Sequence, residues 1–301
     1  MNSLRECEIY FLFLYLILSL EKIIVMKKLY LIVLSVSFLF FNSCGDTTVI
    51  ENIPDGNATT PPITGYFKKR VLIEDYTGTW CGNCTRVSYA IDQAVLQSDK
   101  VVSVAIHNGN DPYHFEGIAP LKNLILPNSP LALPVSRLNR MTVWTFPEPI
   151  NVQQAIDLTG NNAGLGLAVK SSVVDNQINV DVKMKFALNY SNLKLVVYML
   201  EDGLVYLQRN YTSYYEAVNP ITDYVHNHVL RNTLTNILGD AVAGETEAGN
   251  SFTKSFAVPM PQNIVNIDKV SFVAFLVDEN NNVVNVRAAH INENQSFEEN
   301  P

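Results

Sequence analysis

The run Val71-Leu72-Ile73-Glu74-Asp75-Tyr76-Thr77-Gly78-Thr79-Trp80-Cys81-Gly82-Asn83-Cys84 decides the fold. Its apolar first half reads as a buried strand, which Gly78 breaks. Beyond Cys84, apolar residues recur at Val87, Ala90, Ile91, Ala94 and Val95, the spacing of a helix with one buried face. Two cysteines therefore sit where a strand hands over to a helix. Free backbone N–H groups and the helix dipole favour a thiolate there. Disulfide exchange pairs one accessible thiolate with one sheltered partner. Cys81 is expected exposed before the helix, and Cys84 one turn in, facing the interior. Gly82 allows backbone approach, and Trp80 offers a flat apolar wall. Asp75, on the strand, is a candidate buried carboxylate that takes the proton of Cys84 through a water. The alternative for Asp75 is a solvent-exposed residue at the strand end.

Working outward, residues 67–160 read as a βαβ-type domain. Val101-Val102-Ser103-Val104-Ala105-Ile106 suits a buried parallel strand. The loop His107-Asn108-Gly109-Asn110-Asp111-Pro112 follows at the sheet edge where α/β proteins place their sites. One helical turn is expected near Leu121 to Leu126 and a helix at Gln153 to Leu158. Pro134 stands directly before the alternating Val135-Ser136-Arg137-Leu138, an odd place for a proline.

From residue 161 to 301 the texture is that of an antiparallel β-sandwich. Ile178 to Phe186 alternates strictly, and Asp175-Asn176 forms the turn before it. Leu193–Leu200, Leu204–Gln208, Val270–Val277 and Val283–Ala289 are further strands, the last two joined by an Asp/Asn-rich turn. Arg209 to Gly249 is a long excursion, with Leu230 to Leu238 a candidate short helix. Its Tyr211, Tyr214, Tyr215 and Tyr224, with His226, His228 and the nearby Tyr206, are expected to pack over the end of the sandwich. A partner or glycan surface is the alternative. His107 and His114 lack acidic or cysteine partners at ligand spacing, so no metal site is expected. No Gly-rich phosphate loop and no Ser-His-Asp arrangement is legible.

Residues 1–43 read as a leader. Lys27-Lys28 form a positive start just after Met26, the expected true initiator, and Leu29 to Phe41 is an apolar core. Asn42-Ser43-Cys44 then looks like a bacterial lipoprotein signal, with Cys44 as the lipidated residue. An ordinary secretory signal or membrane anchor is the alternative. Residues 44–66 form a Thr-, Asn- and Pro-rich linker. Of four cysteines, Cys7 and Cys44 lie in this leading part, so Cys81 and Cys84 are the thiols of the folded chain. A disulfide between them staples almost no chain, so a purely structural role gains little. A net charge of -8 without a basic stripe argues against a nucleic-acid partner.

Asp75 and Trp80-Cys81-Gly82-Asn83-Cys84, followed by a helix, resemble thioredoxin, although Asn83 stands where that family has proline. The resemblance implies a cis-proline facing the disulfide, and Pro134 occupies the matching place; an ordinary trans proline is the alternative. More narrowly, Glu74 to Cys84 looks like the signature of the Omp28-related outer membrane lipoprotein family. Leu133-Pro134 running into Asn139-Arg140, and Tyr224 to Arg231, also look like it. That resemblance implies an α/β thioredoxin-like domain followed by an all-β, Ig-like antiparallel sandwich in the bacterial envelope. Thiol–disulfide exchange on envelope protein thiols or disulfides, without a cofactor, is one expected function. The other is a non-catalytic surface lipoprotein that binds a protein or glycan through its sandwich.

Overall fold

A computed structural model describes residues 64–301, apart from 147 and 245. The leader, Met26, Cys7, Cys44 and the linker through residue 63 lie outside the described residues. Strands dominate. In chain order they are β1 (Phe67–Lys69), β2 (Val71–Thr77), β3 (Val101–His107), β4 (Val135–Leu138), β5 (Thr142–Val143), β6 (Gly160–Ala163), β7 (Leu165–Val174) and β8 (Gln177–Phe186). Then come β9 (Lys194–Glu201), β10 (Leu204–Gln208), β11 (Ile221–His226), β12 (Val229–Thr233), β13 (Asp240–Ala241), β14 (Ser251–Pro259), β15 (Val270–Val277) and β16 (Val283–His290). The α-helices are α1 (Thr85–Gln97), α2 (Ala119–Ile125) and α3 (Val152–Ile156).

Nine strands form one mixed sheet, ordered β16-β15-β9-β12-β3-β2-β4-β5, with β13 beside β9. Its two faces follow from alternation along each strand. Val196, Tyr198 and Leu200 of β9, Val273 and Phe275 of β15, and Leu72 and Tyr76 of β2 share one apolar cluster. Leu121 and Ile125 of α2 cover that face. On the opposite face, Val71 and Ile73 pack under Val87, Ala90, Ile91 and Ala94 of α1 and Val152 and Ala155 of α3. Further along the same sheet, Leu195, Val197 and Met199 of β9 with Phe272, Ala274 and Leu276 of β15 meet the inner residues of the β14-β8-β7 sheet. That stacking is a β-sandwich.

The sequence reading ends one domain at residue 160 and starts the next at 161. The sheet runs across that point. Val229 of β12 lies parallel to Ala105 of β3, and the Ala105 amide donates to His228 O at 2.8 Å. On its other side β12 pairs antiparallel with β9. Residues from both segments share the cluster of Leu72, Val104, Tyr198 and Phe275. Full burial of such a side chain stabilises by about 1.5–3 kcal/mol. The described residues accordingly fall in one compact unit.

Several local expectations are corrected. Leu230 to Leu238 is not a helix: its first residues belong to β12, held by pairing with Met199, Leu200 and Tyr198. The excursion from Arg209 to Gly249 contains β11, β12 and β13. Strand β14, absent from the sequence reading, pairs with β8 along its whole length. Val95 is not on the buried face of α1 but 46% exposed. Among the described residues no helix is long and apolar enough to cross a membrane.

Candidate functional site

Alternation along β2 sends Glu74 and Asp75 to opposite faces, each buried. Past Thr77 the chain turns, with the Cys81 amide donating to Gly78 O at 2.9 Å. Cys84 is the N-cap of α1 rather than a residue one turn inside it. The Val87 and Ser88 amides both donate to Cys84 O. Cys81 and Cys84 form a disulfide, with their Cα atoms 5.4 Å apart.

Cys81 is not the open thiol the sequence suggests, because the residue is only 5% exposed. The segment after β10 lies across it. Arg209 N donates to Thr79 O and Tyr211 N to Gly82 O, each at 2.8 Å. The Gln208 amide nitrogen donates to Cys81 O at 3.1 Å, and the Thr85 hydroxyl to Asn210 Oδ1 at 2.8 Å. The Tyr211 ring sits where a side chain on Gly82 would have to go, so only glycine fits there. The later part of the excursion does pack on the sandwich, through Leu234 and Val242, but the stretch around Tyr211 does not. That stretch straps the cysteine loop, whose free carbonyls gain backbone donors.

Asp75 is 2% exposed, which removes the solvent-exposed alternative, and its Oδ1 has no hydrogen-bond partner. Burial raises its carboxyl well above the ordinary range; nearby Glu148 adds to this and Arg86 opposes it. Glu148 is itself buried, accepting from Arg86 Nε at 2.7 Å and Ser136 Oγ at 3.2 Å. Burial thus favours the protonated form of the Asp75 carboxyl, a group suited to giving or taking a proton.

Trp80 is half exposed, with its indole N–H donating to Asn108 O at 2.8 Å. The Leu133–Pro134 bond is cis. Because Val135 pairs with Tyr76, Pro134 stands at the end of β2 from which the cysteine loop springs. His107 is buried against Asp111, Nδ1 to Oδ2 at 2.9 Å. Burial would push the Asp111 carboxyl up, but the His107 hydrogen bond and the Thr79 and Tyr113 amides hold it below the ordinary range. His114 pairs instead with Glu116. Among the described residues no three His, Cys, Asp or Glu side chains converge as metal ligands.

Beside the packing of α1 on the sheet, a cavity of about 290 Å³ opens between α1, the sheet and β11. Asp75 and Ala105 line it from the sheet, Ile91 and Asp92 from α1, and Tyr224 and His226 from β11. Sequence reasoning missed Gln208, Asn210, Asp111 and Glu148. Asp111 had a signal, since an Asp followed by Pro in an Asn/Gly-rich loop often caps its own backbone, and here it accepts from Tyr113 N at 2.8 Å. Glu148 had none.

Comparison with solved structures gives HBP35 of Porphyromonas gingivalis, 18% identical, with a TM-score of 0.58 over 77% of this chain and 78% of that one. The two share a fold. A domain of the outer membrane lipoprotein Omp28 from the same organism is 22% identical over 44% of this chain and all of its own, with a TM-score of 0.29. No curated protein matches the chain. The family model described as Outer membrane protein Omp28 matches residues 131–295, more than half of the sequence. This chain therefore belongs to the Omp28 family of bacterial outer membrane proteins.

Proposed function

We propose that this outer membrane protein performs thiol–disulfide exchange at Cys81–Cys84, on a thioredoxin-like portion of its fold formed by residues 67–160. The observation that carries the reading is a two-residue-spaced disulfide at a helix N-cap, with the unpartnered carboxyl of Asp75 on the face that the helix covers. A thiolate of an envelope dithiol protein attacks Cys81 Sγ. The Sγ–Sγ bond breaks and Cys84 leaves as a thiolate, which takes a proton from Asp75 through a water. The second thiol of the substrate then attacks its own mixed disulfide. The substrate ends as a disulfide and Cys81–Cys84 as a dithiol; the reverse sequence reduces a substrate. Trp80 and Pro134 flank the path of approach. Lipidation at Cys44 anchors the chain to the membrane, and incorporation of labelled palmitate that Cys44→Ala abolishes is the matching test.

Equilibration with glutathione of graded redox ratio, read by mass after thiol alkylation, tests the exchange. A reversible dithiol–disulfide transition is expected. Cys84→Ser should then trap envelope proteins as mixed disulfides on Cys81. A pair that stays oxidised across the whole series overturns the reading.

The strap over Cys81 favours a second reading, in which the protein is a non-catalytic surface lipoprotein that binds a protein or glycan through its sandwich. Under it, Cys81→Ser leaves partner capture unchanged, and removing the Tyr211 ring opens no exchange activity.

A further inference from the structure

The cavity between α1, the sheet and β11 has an uneven stock of hydrogen-bonding groups. Two of its lining residues are almost fully buried and carry polar atoms without a partner: Asp75 Oδ1 and His226 Nε2. His226 is only 4% exposed, and its ring bonds to the Tyr206 main chain. Burial, and His107 beside it, lower its pKa to about 4, so it stays neutral and Nε2 offers a lone pair.

Several donors around the cavity are already used. Tyr215 Oη donates to Asp92 Oδ2 at 3.0 Å, and Tyr224 Oη to Tyr215 Oη at 3.5 Å. The Gln208 amide donates to the carbonyls of Gly78, Cys81 and Arg209. No lysine or arginine lines the space. The remaining lining is rich in acceptors: two carboxyl groups, the hydroxyls of Thr77, Ser88 and Ser103, which accept as well as donate, and aromatic rings beside His228. Tyr215 and Tyr224 stand edge to face, 5.5 Å between centroids, and Tyr224 meets His226 at 4.8 Å. The electron-rich faces of such rings attract cations.

We propose that this cavity binds a small organic cation, an aliphatic amine or diamine. An alkylammonium group carries three donors and no acceptor, the complement of this lining. At the buried end Asp75 Oδ1 accepts a hydrogen bond from the ammonium, and Asp92, exposed on α1, supplies a carboxylate at the mouth. At about 30 Å³ per water the cavity has room for roughly ten waters, ample for a four-carbon diamine. The proposal holds whether or not the disulfide exchanges.

Isothermal titration of the full chain in detergent tests it, with 1,4-diaminobutane, butylamine and the neutral 1,4-butanediol as probes. The diamine is expected to bind once per chain, at least about tenfold more tightly than the diol, with butylamine between them. Asp92→Asn and Tyr224→Leu should each weaken the diamine about tenfold. Asp181→Asn on β8, remote from α1, should leave it unchanged, and this separates the site from general attraction to an acidic surface. The proposal is overturned if the diol binds as tightly as the diamine, if Asp92→Asn and Tyr224→Leu both bind like the parent, or if no probe gives heat up to about 10 mM.

Discussion

Replacing Arg140 with methionine tests whether the two segments of the sheet form one cooperative core. Arg140 is fully buried. Its Nη2 donates to Tyr198 Oη at 2.7 Å and to Glu74 Oε1 and Ile237 O, both at 3.4 Å, with the guanidinium over the Phe275 ring. Tyr198 Oη also donates to Glu74 Oε1 at 3.0 Å. One side chain thus joins β2 to β9 and β15, across residue 160. Methionine fills similar space but removes the guanidinium bonded to Glu74, leaving that buried carboxylate with only the more distant charge of Arg137, at a cost of about 3–5 kcal/mol. For a chain of this size that lowers Tm by roughly 6–20 °C. The triple variant Glu74→Leu, Arg140→Met, Tyr198→Phe removes every member of the network and should return to within about 1 kcal/mol of the parent. Urea unfolding serves as the assay. Both tryptophans, Trp80 and Trp144, precede residue 160, whereas far-ultraviolet dichroism is dominated by strands that follow it. In a single core, the fluorescence and dichroism midpoints of Arg140→Met fall together. A loss below about 1 kcal/mol, or a shift of the fluorescence midpoint alone, would refute the reasoning.

Three further outcomes are expected. Tyr211→Ala should speed reduction of Cys81–Cys84 by dithiothreitol several-fold while changing stability by less than about 0.5 kcal/mol, since Tyr211 is 66% exposed; an unchanged rate means that the strap does not restrict access. Asp75 has a raised carboxyl pKa in the fold, so the unfolded chain ionises first, and this residue lowers stability progressively as pH rises above about 4. Asp75→Asn should therefore be more stable than the parent at pH 7, with the difference vanishing below about pH 3; urea midpoints against pH decide, and a less stable variant at pH 7 contradicts the assignment. Asp111 behaves oppositely: burial disfavours its charge, but His107, Thr79 and Tyr113 outweigh that, so its ionised form stabilises the fold above about pH 4 and the benefit fades as pH falls through its depressed folded value. Asp111→Ala should cost about 1–3 kcal/mol at pH 7 and progressively less in acid, by the same measurement.

Short-range periodicity carried most of what the sequence could reveal. The strand–Gly78–cysteine–helix junction, the buried face of α1 through Ala94, the Asp175-Asn176 turn and the alternation of β8 all follow from contacts within a few residues. The partner of β3 does not. Ala105 and Val229 meet through the backbone, and nothing in either segment names the other. Leu230 to Leu238 has leucines at helical intervals, yet β9 pairs with its first residues and makes them strand. Ile221–His226 is polar because one side of β11 faces solvent, so it resembled a loop. At the site, Cys81, Cys84, Asp75, Trp80 and Pro134 could be named from local pattern and resemblance. The strap could not, because its hold on the cysteine loop is mainly backbone N–H to carbonyl, which any residue but proline can supply.

The position of β12 also bears on when the molecule can fold. Strand β3 is apolar and central, yet one of its two neighbours is synthesised more than a hundred residues later. Until β12 emerges, β3 presents a bare edge of unpaired N–H and C=O groups, a template for wrong pairing. Such long-range closure is slow. A protein bound for the outer membrane must therefore cross the cell envelope with this edge shielded, either unfolded or held by a chaperone, until nearly the whole chain has arrived.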